Sequence, residues 1–256
     1  MNNFWHEQYK LLVFDEIDST NSEAIRLAKT APDNNYIILA KNQYNGRGKN
    51  GKVWHCGNGN FYVSLLINHN FEIAILPQLS FVTALAVYDT IKYLAPAILH
   101  KFIYLKWPND VLIGAFDPAK ISGILLESIH IQQRNYIVIG VGMNINHSPI
   151  NIDQLTTNFR EAGILIKEPE QILDIFMINF SKNFSSWQHE GFSKIRQNWL
   201  DRAYMLNKNI SINDGNSKIT GIFKDIDQSG AIRVQLDSGE VKNIIAGDVT
   251  AAACSC

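Results

Sequence analysis

Cysteine is scarce. The chain of 256 residues holds three, Cys56, Cys254 and Cys256. Three thiols make no disulfide framework, which points to a reducing compartment, the cytoplasm. The closing AAACSC has soft donors for a metal, but such an end is far more often a frayed terminus. Neither sign of charge is in excess: 23 Lys and Arg stand against 24 Asp and Glu, a formal net charge of -1. Nothing in that balance draws the chain to nucleic acid. The seven histidines show no H-x-x-x-H or Cys/His spacing for a metal. The opening MNNFWHEQYK lacks the apolar core of a secretory signal. No stretch approaches the roughly 20 apolar residues that cross a bilayer, so no membrane is expected. There is no internal repeat and no low-complexity segment. What remains is an ordinary globular composition, 46% hydrophobic and 18% charged, with the apolar mass for one large domain or two unequal ones.

Periodicity divides the chain in two. Strands are expected at LLVFDEI (11–17), YIILAKNQ (36–43), NFYVSLLIN (60–68), FIYLKWP, ISGILLESIHI and NYIVIGVGMNIN (135–146). Helices are expected at DSTNSEAIRLAK, capped by Ser19 or Thr20, and over 76–95. The alternation argues for an α/β layer architecture. From about 170, a helix and a glycine-broken second helix precede short strands with turn signals, among them the hairpin dipeptide Asp214-Gly215. The expected division is a main domain over 1–207 and a small β module, a barrel or sandwich, over 208–256.

The stretch NGRGKNGKVW (45–54) fits two phosphate motifs by spacing. A P-loop needs a hydroxyl after its lysine and a helix behind it. Here Val53 follows Lys52, and Gly57-Asn58-Gly59 will not hold a helix. The dinucleotide fingerprint fails on the same missing helix. Two readings stay open: a solvated basic turn, or a mobile loop in which glycines let backbone amides approach an anion while Arg47, Lys49 and Lys52 supply charge.

Four other stretches bear on that choice. In LKWPNDV (105–111), Pro108 bars helix, so Lys106, Asn109 and Asp110 lie at a strand end or tight turn. A lysine beside an aspartate suits a phosphate with its magnesium, and equally a surface ion pair. In AKISGILLES (119–128), Lys120 precedes an apolar strand, Gly123 leaves room for a ligand, and Glu127 is an acid in apolar surroundings that needs a partner. In GVGMNIN (140–146), Gly140 and Gly142 mark close backbone approach, and Asn144 and Asn146 are expected on one side of a strand. DSTN (18–21) serves as a helix cap or as a reader of a polar ligand atom.

Taken in order, these residues resemble the biotin protein ligases, also called biotin–[acetyl-CoA carboxylase] ligases. The matching run is Ser19-Thr20-Asn21, Gln43, Gly46-Arg47-Gly48-Lys49-Asn50-Gly51, Lys106-Trp107-Pro108-Asn109-Asp110, Lys120 through Glu127, and Gly140-Val141-Gly142-Met143-Asn144. The resemblance extends from about residue 11 to 250. It implies a mixed β-sheet packed with helices, of the class II aminoacyl-tRNA synthetase-like kind, with a small Src-homology-3-like β-barrel at the C-terminus. It implies ATP-dependent formation of biotinyl-adenylate with Mg2+, then transfer of biotin to a lysine of a biotin carboxyl carrier protein.

Carried over residue by residue, the resemblance implies that Ser19, Thr20 and Asn21 line the biotin site, with Gln43 on the other wall. Arg47, Gly48 and Lys49 would hold biotin's carboxylate and the adenylate phosphate, and Lys120 would act where charge grows. Gly123, Gly140 and Gly142 would pass close to the ligand. Gly46, Trp54, Lys106, Asn109 and Asn144 would serve the adenylate, and Asp110 the Mg2+. Two departures stand out. Lysines at 49 and 52 replace arginines common in the family loop, which keeps the charge and loses the bidentate fork. The segment VLIGAFDPA before Lys120 is longer than the family pattern, as a hairpin-tip extension would be.

With the STN motif at residue 19, no preceding DNA-binding domain is expected, and monomer and sheet-edge dimer both stay open. Two alternatives share parts of this pattern. A lipoate–protein ligase or octanoyltransferase would have the same core, the latter with a catalytic cysteine for which Cys56 is the internal candidate. A non-catalytic biotin-binding protein would have no need of Asp110 and Lys120.

Overall fold

The computed structural model describes residues 5–55, 57–150, 154–166, 171–213, 215 and 217–252. Cys56, Cys254, Cys256 and Asp214 lie outside them. The chain opens with a one-turn helix α1 (Trp5–Gln8) and strand β1 (Lys10–Ile17). Helix α2 (Thr20–Thr30) then crosses over to strand β2 (Tyr36–Gln43), which lies parallel to β1, as a crossover helix requires. Strand β3 (Phe61–His69), helix α3 (Gln78–Leu94), strands β4 (Ile103–Lys106) and β5 (Asp110–Ile113), and the long hairpin β6 (Ala119–Ile131) and β7 (Arg134–Met143) follow. All pairings among these last strands are antiparallel, in a seven-stranded sheet of order β1-β2-β3-β7-β6-β5-β4.

The two faces of the sheet do different work because side chains alternate along a strand. Ile37, Leu39, Val63, Leu65, Ile137 and Ile139 join α3 and helix α4 (Gln171–Glu190) in the main core. On the other face, Ile38, Leu66, Tyr136 and Val138 pack on Ala24 and Ala28 of α2. The segment Ile73–Leu94 is long and apolar enough to cross a membrane by length and composition, contrary to the sequence-based expectation. In the fold most of α3 is buried in the core, and that burial explains its apolar composition.

Gly191, at φ 79°, separates α4 from helix α5 (Phe192–Leu200), a conformation glycine adopts without penalty. Strands β8 (Asn209–Asn213), β9 (Lys218–Ile226), β10 (Ile232–Gln235), β11 (Val241–Ile244) and β12 (Asp248–Ala251) form an antiparallel sheet of order β11-β10-β9-β8-β12. This is the expected small β module. It does not stand apart: Ile210, Phe223, Ile226 and Val234 belong to the same hydrophobic cluster as α3 and α5. Trp107 Nε1 donates to Gly230 O at 3.0 Å, and Gln78 Nε2 donates to Gln228 O at 2.7 Å. A Cβ on Gly230 would lie 2.8 Å from the Phe81 ring, so the turn at 230 packs directly on α3.

Around the site one expectation holds and one element differs from the sequence reading. Lys106 and Asp110 lie at the facing ends of β4 and β5 and Asn109 in the tight turn between them, as expected, and Ile124 N donates to Asn109 O at 3.0 Å where the β5–β6 pairing starts. The hairpin tip over 114–118 is the extension expected before Lys120. Strand β7 ends at Met143, three residues short of the expected span. The cause is Asn60, whose Oδ1 accepts from the backbone amides of Ile145, Asn146 and His147 at 2.9, 3.0 and 3.1 Å and curls the chain out of the sheet.

The shared core gives a direct test. Trp199 is fully buried, with its ring 5.3 Å from that of Phe81. Trp199→Ala is expected to cost about 3–5 kcal/mol in denaturant unfolding. Far-UV signal and a fluorophore on the C-terminal sheet should still report one coincident transition.

Candidate active site

The face of the sheet that carries α2 changes character toward one end. Ser64 pairs in register with Gly140, which faces Leu125 across the next ladder, and Tyr62 pairs with Gly142, which faces Gly123. Small residues therefore line the sheet where α2 begins. The space is in use: a Cβ on Gly140 would lie 2.1 Å from Asn21 Oδ1. Cβ atoms on Gly142 and Gly123 would lie 2.6 and 2.7 Å from the Trp54 indole. The three glycines thus clear the floor for one amide and one aromatic ring.

Over this floor sits the first turn of α2. Ser19 is its N-cap, with Oγ accepting from Ser22 N at 3.4 Å. Thr20 and Asn21 are buried against the sheet. A polar chain joins them to their surroundings. Gln43 Oε1 accepts from Thr20 N at 2.7 Å, and Ser64 Oγ lies 2.7 Å from Thr20 Oγ1 and 2.6 Å from Asn21 Oδ1. Asn21 Nδ2 donates to Glu127 Oε2 at 2.8 Å. Ser64 and Glu127 are the members that the sequence did not place in the site. Their signal was a lone hydroxyl in an otherwise apolar strand and an acid that needed a partner.

The glycine loop is a narrow turn, closed by an Arg47–Val53 bridge and by Trp54 N donating to Gly46 O at 3.0 Å. Asn50 and Gly51 take φ of 56° and 73°. Among the described residues 52–60 there is no helix, as the rejection of both phosphate fingerprints requires. Arg47 reaches down to the Glu127 carboxylate, so the loop lies over the floor. Gln43, Gly46 and Trp54 line a cleft beside it.

A second group of charges gathers at the ends of β4, β5 and β6. Lys106 and Asp110 are register partners across the β4–β5 turn. Lys120 Nζ lies 2.7 Å from Asp110 Oδ1 and 5.3 Å from the centre of the Trp54 ring. Gln154 Nε2 donates to Asp110 Oδ2 at 3.2 Å. Lys49 Nζ lies 5.8 Å from the centre of the Trp107 ring. Burial pushes the Lys49 and Lys106 ammonium groups below the ordinary lysine range, and Asp110 partly offsets this for both. Desolvated cations with depressed pKa values are poised to gain from an anion. Lys52 leaves this group and pairs with Asp248 on β12 at 2.6 Å.

Not every expected residue points to a ligand. Asn109 Nδ2 donates to Ile124 O at 2.7 Å and so fastens the β4–β5 turn to β6. Asn144 Nδ2 donates to Thr157 O at 3.1 Å, while its buried Oδ1 has no hydrogen-bond partner among the described residues. Asn146 does not share a strand face with it; its Nδ2 donates to Gly59 O at 3.1 Å. No group of three or more His, Cys, Asp or Glu side chains could hold a metal among the described residues.

This fold and site are those of a group-activating ligase, and comparison with known proteins agrees. Residues 13–144 match the sequence model of the biotin/lipoate A/B protein ligase family, and residues 205–250 match the biotin protein ligase C-terminal domain. The chain belongs to the biotin/lipoate A/B protein ligase family. It is 33% identical over 229 residues to the biotin–[acetyl-CoA-carboxylase] ligase of Paracoccus denitrificans, covering 87% of this chain and 92% of that one. It is 26% identical to the bifunctional ligase/repressor BirA of Bacillus subtilis, covering 93% of this chain and 73% of the other. Among solved structures, the biotin protein ligase of Aquifex aeolicus in complex with biotin and ATP superposes with a TM-score of 0.76 at 26% identity, over 94% of this chain and 97% of that one.

The cleared floor makes its own prediction. Gly140→Ala forces Asn21 off Ser64 and Glu127, and is expected to destabilise the protein by about 1–3 kcal/mol. Equilibrium unfolding checks this, and wild-type stability would mean that Asn21 does not depend on Gly140.

Proposed function

We propose that the protein attaches biotin to a lysine of a biotin carboxyl carrier protein in two steps. First, an oxygen of biotin's carboxylate attacks the α-phosphorus of ATP, pyrophosphate leaves, and biotinyl-adenylate forms. Second, the ε-amine of the carrier lysine attacks the acyl carbon of this mixed anhydride. The amide bond forms, the bond from acyl carbon to phosphate oxygen breaks, AMP leaves, and the amine gives up a proton. The observation that carries the reading is one arrangement. A polar row from Gln43 through Thr20, Ser64 and Asn21 meets a loop arginine at one end of a glycine floor, with three lysines and Asp110 beside it. A heterocycle with hydrogen-bonding groups fits the first part, and a carboxylate joined to a phosphate fits the second.

In this reading Ser19, Thr20, Asn21 and Gln43 face the biotin ring, and Arg47, Gly48 and Lys49 close over its carboxylate and the phosphate. Lys120 stabilises the charge that grows on the phosphorus oxygens, aimed at a site where it is already desolvated. Gly46, Trp54, Lys106 and Asn144 serve the nucleotide, Asn144 through its unpartnered Oδ1. Asn109 fastens the turn through Nδ2 and, in this reading, also serves the phosphate or ribose. The chemistry is positioning and charge stabilisation, without a nucleophile on the protein.

Mg2+ fits as an ion shared with the nucleotide, because such ions take one or two carboxylates together with substrate phosphates. Asp110 would hold it, and it would offset phosphate charge. We divide the chain into a catalytic part, 1–207, and a C-terminal part, 208–256, supported by the separate family match over 205–250. We place the protein in the cytoplasm on its sparse cysteines, with no role for nucleic acid or membrane.

The deciding experiment is pyrophosphate release from Mg-ATP with biotin, lipoate or octanoate in turn, followed by addition of a biotin carrier domain. Release with biotin alone and a biotinyl mass gain on the carrier lysine are expected. Release with lipoate would move the protein to the sister activity, and biotin binding without release would leave a binding protein. Lys120→Ala is expected to lower the rate of adenylate formation by about 2–4 kcal/mol of transition-state stabilisation. A rate near wild type in single-turnover pyrophosphate release would remove Lys120 from this role.

A further inference from the structure

Glu127 has two carboxylate oxygens and uses them on two different walls of the site. Oε1 takes the Arg47 guanidinium from the glycine loop, and Oε2 takes Asn21 Nδ2 from the first turn of α2 at 2.8 Å. The same guanidinium brings Nη1 to 3.5 Å from Ser22 Oγ, so it spans from β6 to α2. Glu127 stands opposite Val138 in the sheet, on the face that carries α2, with its side chain about one-fifth exposed. An acid in that setting is costly unless paired, and here both oxygens are engaged.

Proton bookkeeping extends its reach. An ionised carboxylate only accepts hydrogen bonds. The Asn21 nitrogen must therefore face Glu127 and its oxygen must face Ser64, which settles the orientation of the amide. Asn21 Oδ1 only accepts, so Ser64 gives its one hydroxyl proton to it. The Thr20 hydroxyl has one proton and two acceptors within reach, Ser64 Oγ at 2.7 Å and Gln43 Oε1 at 3.1 Å, while Thr20 N–H holds Gln43 Oε1. The directions of the Asn21–Glu127 and Ser64–Asn21 hydrogen bonds follow from one negative charge at the end of the row.

We propose that Glu127 is a positioning residue with two linked effects: it anchors Arg47 so that the loop stays over the site, and it sets the donor–acceptor direction of Asn21 and Ser64. The proposal rests on the ligase reading given above. A glutamine at 127 has one acceptor and one donor group. It can satisfy Asn21 or Arg47 but presents N–H to the other, and it allows the Asn21 amide to turn over.

The test uses the full chain with biotin and Mg-ATP, with wild type run beside each variant. Pyrophosphate release by wild type carries the ligase reading by itself, and only departures of the variants from it bear on Glu127. E127Q is expected to raise the KM for biotin about tenfold, the size of one lost charge-assisted hydrogen bond. It is also expected to raise escape of biotinyl-adenylate into solution, measured without carrier, to the level of Arg47→Gly. The double variant E127Q with Arg47→Gly should release adenylate no faster than either single one, because both act through one contact. E127D keeps the charge, so its KM for biotin should stay well below that of E127Q. Unchanged adenylate escape in E127Q, multiplied effects in the double variant, or a KM in E127D equal to that of E127Q would each overturn the proposal. Should E127Q not fold, the E127D comparison and tryptic cleavage at Arg47 and Lys49 with and without biotin decide it. Biotin protection equal to wild type in E127D, with wild-type KM and wild-type adenylate escape despite the shorter reach, would count against an anchoring role.

Discussion

Everything in the site depends on a strip of missing side chains. Three central strands present bulky apolar residues to α3 and α4 on one face, while the other face carries Ser64, Gly140, Gly142 and Gly123 where α2 begins. Apolar side chains there would fill the volume that Asn21 and the Trp54 ring now take. A sheet can carry such a strip only because its opposite face supplies the burial. The full-size core below and the emptied floor above are two consequences of the same alternation.

The cations above that floor are held in tension with their surroundings. Lys49 and Lys106 are pushed toward neutrality by burial, with Asp110 as partial relief. Lys120 is already paired with Asp110. In the proposed reaction, arriving phosphate oxygens would meet lysines that are already partly desolvated. This electrostatic preorganisation needs no movement of charge at the moment of reaction. Lys49 faces Trp107 from within a half-buried setting, and Lys52 is engaged with the C-terminal sheet.

Much of this was legible in the sequence, for identifiable reasons. Strand β2 falls on the expected residues 36–43, because a run of β-branched and aromatic residues reports a buried strand. The turn signals after 207 likewise gave the small sheet. The motif residues Thr20, Asn21, Gln43, Arg47 and the Lys120–Asp110 pair do meet in space. What stayed hidden was carried by single long-range contacts. Asn60 ends β7 from 85 residues away in sequence through its bond to Ile145, and no local pattern announces that. Gln154 reaches Asp110 from a segment without periodicity. The fastening of Asn109 Nδ2 to Ile124 O likewise reaches across 15 residues of sequence, which the turn motif alone does not announce.

The contact between the Trp107 turn and Gly230 also gives the molecule an order in time. The glycine loop and its arginine emerge early in synthesis, whereas Gly230 and Asp248 are among the last residues to appear. A nascent chain therefore carries the turn with Lys106 and Asp110, and Lys52, well before the acceptor for Trp107 or the partner of Lys52 exists. The brace for the charged end comes from the C-terminal sheet, so a copy clipped before Gly230 loses both the acceptor for Trp107 and the partner of Lys52.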